Sequence, residues 1–130
     1  TSLLPSLLHS LSKNVHEEYP QKLFEIGEVF VPRKKKFERW NLCCISAFNG
    51  VTYSEIKSVL QTLMDICFKV KFETNPSANS SFIRGRSADI MYKQKVIGQI
   101  GEISSFLIDG FKIKMPVAAF ELDLTELLPI

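Results

Sequence analysis

The chain has 130 residues, 45% of them hydrophobic and 23% charged, with 16 basic and 14 acidic residues and a formal net charge of +2. These values fit one globular domain with a real core, and they exclude wholesale disorder, a coiled coil and a polycation built to coat nucleic acid. No run approaches the roughly 18 apolar residues that cross a bilayer, and the start lacks the basic, apolar and small-residue order of a signal peptide, so a soluble, cytoplasmic protein is the expectation.

Leu3, Leu4, Leu7, Leu8, Leu11 and Val15 recur at three and four residues and predict a first helix, capped by Ser2, with Pro5 in its first turn and its end near Asn14 to His16. Lys22 to Val31 is rich in β-formers, with Gly27 breaking the alternation. Leu42 to Phe48, apolar apart from Ser46, reads as a strand buried on both faces. Between them lies a basic loop in which Arg33, Lys34, Lys35, Lys36 and Arg39 face only Glu38. Such a loop is either a solvated turn or a nucleic-acid contact, and these five residues are the candidates for the latter.

Thr52 and Glu55 form a capping box ahead of Ile56, Val59, Leu60, Leu63, Met64 and Cys67 at helical spacing. Lys69 to Glu73 predicts a strand, with Val70 and Phe72 alternating against charge, and Asn75 to Ser81 a polar loop. Ser87 to Tyr92 and Val96 to Gly101 predict a strand pair around Lys93-Gln94-Lys95, a turn without the Asn-Gly of a strong hairpin. A short helix over Ser104 to Asp109 closes at Gly110. Val117 to Leu124 is the last strand, with Ala118, Phe120, Leu122 and Leu124 on one face and Glu121 and Asp123 on the other, and Thr125 and Glu126 open a further helix. About six strands and three helices without regular βαβ alternation predict an α+β fold around a mainly antiparallel sheet. A start at a helix cap without Met, and an end in an opening helix, suggest a piece of a longer protein, residues 1–130 being one domain of it.

Chemistry is sparse. Three cysteines, two of them adjacent, read as small core hydrophobes, and two histidines leave a zinc site almost nothing to be made from. No nucleophile elbow and no P-loop occurs; Gly98-x-x-Gly101 falls within a strand pair rather than before a helix. Glu121 and Asp123 could bind Mg²⁺ or act as acid and base, although paired acids are common on a solvated strand face. In Phe82-Ile83-Arg84-Gly85-Arg86 two guanidiniums could clamp a phosphate or an acidic partner, or make surface ion pairs.

Five stretches in order resemble the beta chain of phenylalanyl-tRNA synthetase, archaeal and eukaryotic type, in its catalytic-like module. They are Thr1-Ser2-Leu3-Leu4-Pro5 with Leu7-Leu8, Leu23-Phe24-Glu25-Ile26-Gly27, Phe82-Ile83-x-Gly85-Arg86-x-Ala88-x-Ile90, Gly98-x-Ile100-Gly101-Glu102-Ile103, and Pro116 to Leu124. Ser6 stands where the family usually has Gly, and Ser104-Ser105 where His-Pro often follows.

The resemblance implies a class II aminoacyl-tRNA synthetase-like fold, an antiparallel sheet flanked by helices, in a copy without catalysis of its own. Class II enzymes hold ATP with an arginine on the second motif strand, and Phe24-Glu25-Ile26-Gly27 supplies none; Phe120-Glu121-Leu122-Asp123-Leu124 places acids where the third motif would meet triphosphate. No catalytic, cofactor or metal residue is therefore expected on this segment. ATP and Mg²⁺ belong to the alpha chain, tRNA(Phe) to the whole enzyme, and the assembly implied is a heterotetramer of two alpha and two beta chains. Leu3, Leu7, Leu11 and the Phe82, Ile83, Arg84, Arg86 segment are the candidate alpha-chain contacts. The rival reading is an RNA-binding accessory domain using the basic loop with Arg84 and Arg86.

Overall fold

The computed structural model describes residues 2–14, 20–30 and 38–127, the side chains of Phe30 and Glu38 excepted. Within them lie α1 (Leu4–Lys13), β1 (Gln21–Phe30), β2 (Glu38–Ala47), α2 (Tyr53–Leu63), β3 (Glu73–Pro76), β4 (Phe82–Tyr92), β5 (Lys95–Ile103), α3 (Ser105–Gly110) and β6 (Val117–Asp123), closed by a 3₁₀ turn at Leu124–Glu126. The six strands form one sheet in the order β1-β2-β6-β5-β4-β3, antiparallel at every pairing. Strand alternation sends one set of residues to each face, and each face carries its own core. On one, Val29, Cys43, Ile45, Val117 and Ala119 meet Leu4, Leu7, Leu8 and Leu11 of α1, with α3 beside them. On the other, Leu42, Ala118, Phe120, Leu122 and Ile100 meet Ile56, Leu60 and Met64 of α2. Two helical layers on a central sheet explain why β2 and β6 read as continuous apolar runs.

The leucine stripe of α1 is buried to its last described member, and each buried leucine contributes about 2 kcal/mol to the fold. Helix α2 starts as its sequence dictates, with Thr52 Oγ1 accepting from the Glu55 amide at 3.3 Å. It then loosens into a π turn over Met64–Phe68, which Lys69 ends in the left-handed region at φ 54°. This exit displaces the strand expected over Lys69 to Glu73. Val70 and Phe72 pack half-buried beneath α2, but pairing begins only at Glu73, so Asn75 and Pro76 belong to β3 rather than to a loop. The β4–β5 turn forms without Asn-Gly because Lys93 and Gln94 themselves adopt φ 49° and 67°, the backbone of a two-residue hairpin turn. Helix α3 ends at Gly110 as expected, but the left-handed residue that follows it is Lys112, φ 58°, and Gly110 itself has no positive φ. Val15 and the basic residues Arg33, Lys34, Lys35 and Lys36 lie outside the described residues.

Candidate functional site

One register row crosses all six strands: Glu25, Cys43, Glu121, Gln99, Asp89 and Asn75 are successive partners from β1 to β3. Opposed residues share a face, and this face is the one on which α1 lies. The next row holds Gly27, Asn41 and Asp123. The polar end of the α1 face is therefore made of β-strand side chains grouped around the start of a helix.

Glu121 sits at that start. Its carboxylate accepts from Ser2 Oγ (2.7 Å), from the Leu3 and Leu4 amides (both 3.0 Å) and from Asn41 Nδ2 (2.6 Å). The first amides of a helix have no partner within it, and the helix dipole favours negative charge there. Ser2 Oγ, the cap expected from the sequence, accepts from the Leu4 amide at 3.2 Å, and a carboxylate more than a hundred residues away accepts from the Leu3 and Leu4 amides beside it. Helix α2 is treated the same way on the opposite face, where Glu102 of β5 accepts from the Tyr53 amide at 3.0 Å. Burial, helped by the nearby Glu121 charge, pushes the Cys43 thiol far above its ordinary value, and burial also raises Cys44.

Arg39 is placed in β2 rather than in a basic loop, with its Nη1 3.9 Å from Asp123 Oδ2. Asp123 in turn accepts from the Thr125 amide at 3.0 Å. Arg39, Asn41, Gln99, Glu121 and Asp123 line a cavity of about 190 Å³ beside Ser2. A nucleoside triphosphate does not suit it: two carboxylates face one guanidinium, and that guanidinium already faces Asp123. Among the described residues no group of three or more His, Cys, Asp or Glu is placed to hold a metal ion, and no helix is long and apolar enough to cross a membrane.

The candidate contacts divide. Leu3, Leu7, Leu11 and Phe82 are buried in this chain's own core, so the apolar stripe offered to a partner by its spacing is consumed by the sheet. Ile83 is half-buried and Arg84 exposed, in a stretch of β4 that bulges away from β5 where Gly85 takes φ 83°. Arg86 makes an ion pair with Glu102 at 3.2 Å, so of the expected clamp only Arg84 has no ion-pair partner among the described residues. Cys67, expected as a core hydrophobe, is exposed on the π turn; Cys43 is buried and Cys44 half-buried.

Sequence reasoning missed two features. The first is the Glu121 cap, whose partners are remote in the chain. The second is an uncovered apolar patch on the α2 side of β1 and β2, where Phe24 is 74%, Ile26 57% and Trp40 47% exposed. The apolar runs of β1 and β2 carried that signal, since a strand apolar on both faces needs cover on both.

Residues 1–124 match the family described as the phenylalanyl tRNA synthetase beta chain CLM domain. The phenylalanine–tRNA ligase beta subunit of Archaeoglobus fulgidus is 40% identical over 125 residues, covering 96% of this chain and 22% of that protein. The corresponding subunit of Thermococcus kodakarensis is 40% identical over 129 residues with the same coverage, and that of Methanococcoides burtonii 38% identical, covering 97% and 23%. The chain thus spans between a fifth and a quarter of the length of these relatives. In structure it is similar to a pyrrolysyl tRNA synthetase from Desulfitobacterium hafniense, with a TM-score of 0.78 at 17% identity, covering 96% of this chain and 47% of that one. At that identity the likeness concerns the fold, which is the α+β, class II synthetase-like fold expected from the sequence.

Proposed function

The chain belongs to the CLM domain family of the phenylalanyl tRNA synthetase beta chain, and from that premise we propose that it is a non-catalytic, class II synthetase-like module of a phenylalanine–tRNA ligase. In this reading it packs on a catalytic alpha chain, which holds ATP and Mg²⁺, and supports the joining of phenylalanine to tRNA(Phe) in a cytoplasmic assembly of two alpha and two beta chains. The observation that carries it is the polar cavity: on the face where a class II enzyme would meet triphosphate, this chain presents Glu121 and Asp123 against a single arginine.

The patch of Phe24, Ile26 and Trp40 is the proposed docking face, because among the described residues no helix covers it. Ile83 and Arg84 form a second, smaller contact. The test is binding of the purified chain to a phenylalanyl-tRNA synthetase alpha chain, with ATP and tRNA titrated separately. Alpha-chain binding at micromolar concentration or better without ATP binding is expected, with at least a tenfold loss in the Phe24→Ser/Ile26→Thr double variant. ATP binding by the isolated chain would overturn the non-catalytic reading. Unchanged alpha-chain binding by the double variant would overturn the docking face alone. Salt-sensitive tRNA binding without alpha-chain binding would favour an RNA-binding accessory domain instead.

A further inference from the structure

Strand β1 ends the sheet: it pairs with β2 on one side, and no strand among the described residues lies along its other side. An edge strand presents backbone N–H and C=O groups as a template for a further strand, and proteins blunt such edges with bulges or prolines. Within β1 there is neither, since its pairing with β2 runs from Gln21 to Phe30 without a register shift. On the α2 side β1 presents Lys22, Phe24, Ile26 and Glu28, all exposed. Read along the strand they are cation, apolar, apolar, anion, an order that becomes its own complement when reversed about Glu25.

A second copy, turned by a two-fold axis normal to the sheet at Glu25, lays its β1 antiparallel along the first. Lys22 then opposes Glu28 of the second copy and Phe24 opposes its Ile26, and each pair occurs twice. An axis at Phe24 sets Lys22 against Ile26, and an axis at Ile26 sets Glu28 against Phe24. Of these three registers only the one centred on Glu25 matches charge with charge and apolar with apolar. Its cost falls on the opposite face, where the two Glu25 carboxylates oppose each other.

We propose that the edge of β1 is a self-association surface whose partner is a second copy of this chain, paired in the register centred on Glu25. The two sheets then run on as one. This pairing uses the backbone edge and leaves the flat of Phe24, Ile26 and Trp40 open, so it is independent of the alpha-chain docking face and stands whether or not an alpha chain binds.

The test is sedimentation equilibrium of the chain at low salt, from about 1 μM to about 1 mM, with circular dichroism checking the fold of each variant. The wild-type mass rises from monomer to dimer across this range. Lys22→Glu and Glu28→Lys each raise the dissociation constant about tenfold, because each turns two attractive pairs into two repulsive ones. The double variant Lys22→Glu/Glu28→Lys returns to within about threefold of the wild type. Glu25→Gln, read independently of the charge swaps, tightens the dimer about threefold by removing the opposed carboxylates. A mass that stays monomeric throughout overturns the proposal, as does a dimer indifferent to both single swaps. A double variant no tighter than the single swaps, or a Glu25→Gln chain no tighter than the wild type, overturns the register.

Discussion

Gly98→Ala tests the closest approach in the sheet. The β-carbon of an alanine there would overlap the Glu121 carbonyl oxygen and lie 3.0 Å from that carbonyl carbon and 3.1 Å from Leu122 Cα. All three are backbone atoms of β6, so no flexible side chain can swing aside. Relief requires β5 to move off β6 near the Gly98–Leu122 and Gln99–Glu121 pairs. Losing one or two buried backbone hydrogen bonds at about 1–3 kcal/mol each sets the cost near 3 kcal/mol. With a urea slope of about 2 kcal/mol/M, the midpoint falls by about 1.5 M. Gly110→Ala is the control: nothing lies within 4 Å of its added carbon, and it sits at the end of α3 without a left-handed φ, so it is neutral or stabilises by about 0.5 kcal/mol. Urea unfolding followed by circular dichroism measures both. A Gly98→Ala midpoint within 0.3 M of the wild type, at unchanged slope, would refute the steric reasoning.

Leu11→Ala empties a site that is fully buried beneath α1 and lowers stability by about 3 kcal/mol in the same assay. Thiol labelling with a disulfide reagent at pH 8 proceeds in three phases, with exposed Cys67 first, half-buried Cys44 slowly and buried Cys43 only as the chain unfolds. The folded chain keeps the Cys43 proton to a higher pH than the unfolded chain, where the ordinary value is 9.0. Above about pH 9 the unfolded state therefore binds fewer protons, and stability falls by about 1.4 kcal/mol per pH unit. Urea midpoints between pH 7 and 10 check this, and Cys43→Ala flattens the profile.

Elements governed by neighbouring residues were legible in the sequence. The Thr52 cap, the leucine stripe of α1 and the alternation of β6 each place their partners within a few residues, so spacing alone locates them. Lys69 misled because its left-handed conformation has no compositional mark, and the alternation of Val70 and Phe72 reports burial under α2 without strand pairing. Leu3, Leu7 and Leu11 form the one apolar face that their spacing predicts, but spacing does not say which surface that face meets. Glu121 and Asp123 were placed on one face as found, whereas their half-buried and buried states depend on a helix from the other end of the chain.

The position of β6 between β2 and β5 also decides how the sheet holds together. The hairpin of β1 and β2 and the meander of β3, β4 and β5 can each form from nearby residues, but no strand pairing joins them until Val117–Asp123 is available. Pairing Ala47 with Val117 closes a long loop, whose entropic cost falls before the pairing is rewarded. Without this strand the sheet is two separately paired parts, and the first amides of α1 lack the Glu121 carboxylate. One seven-residue strand is thus the seam through which the whole sheet becomes continuous.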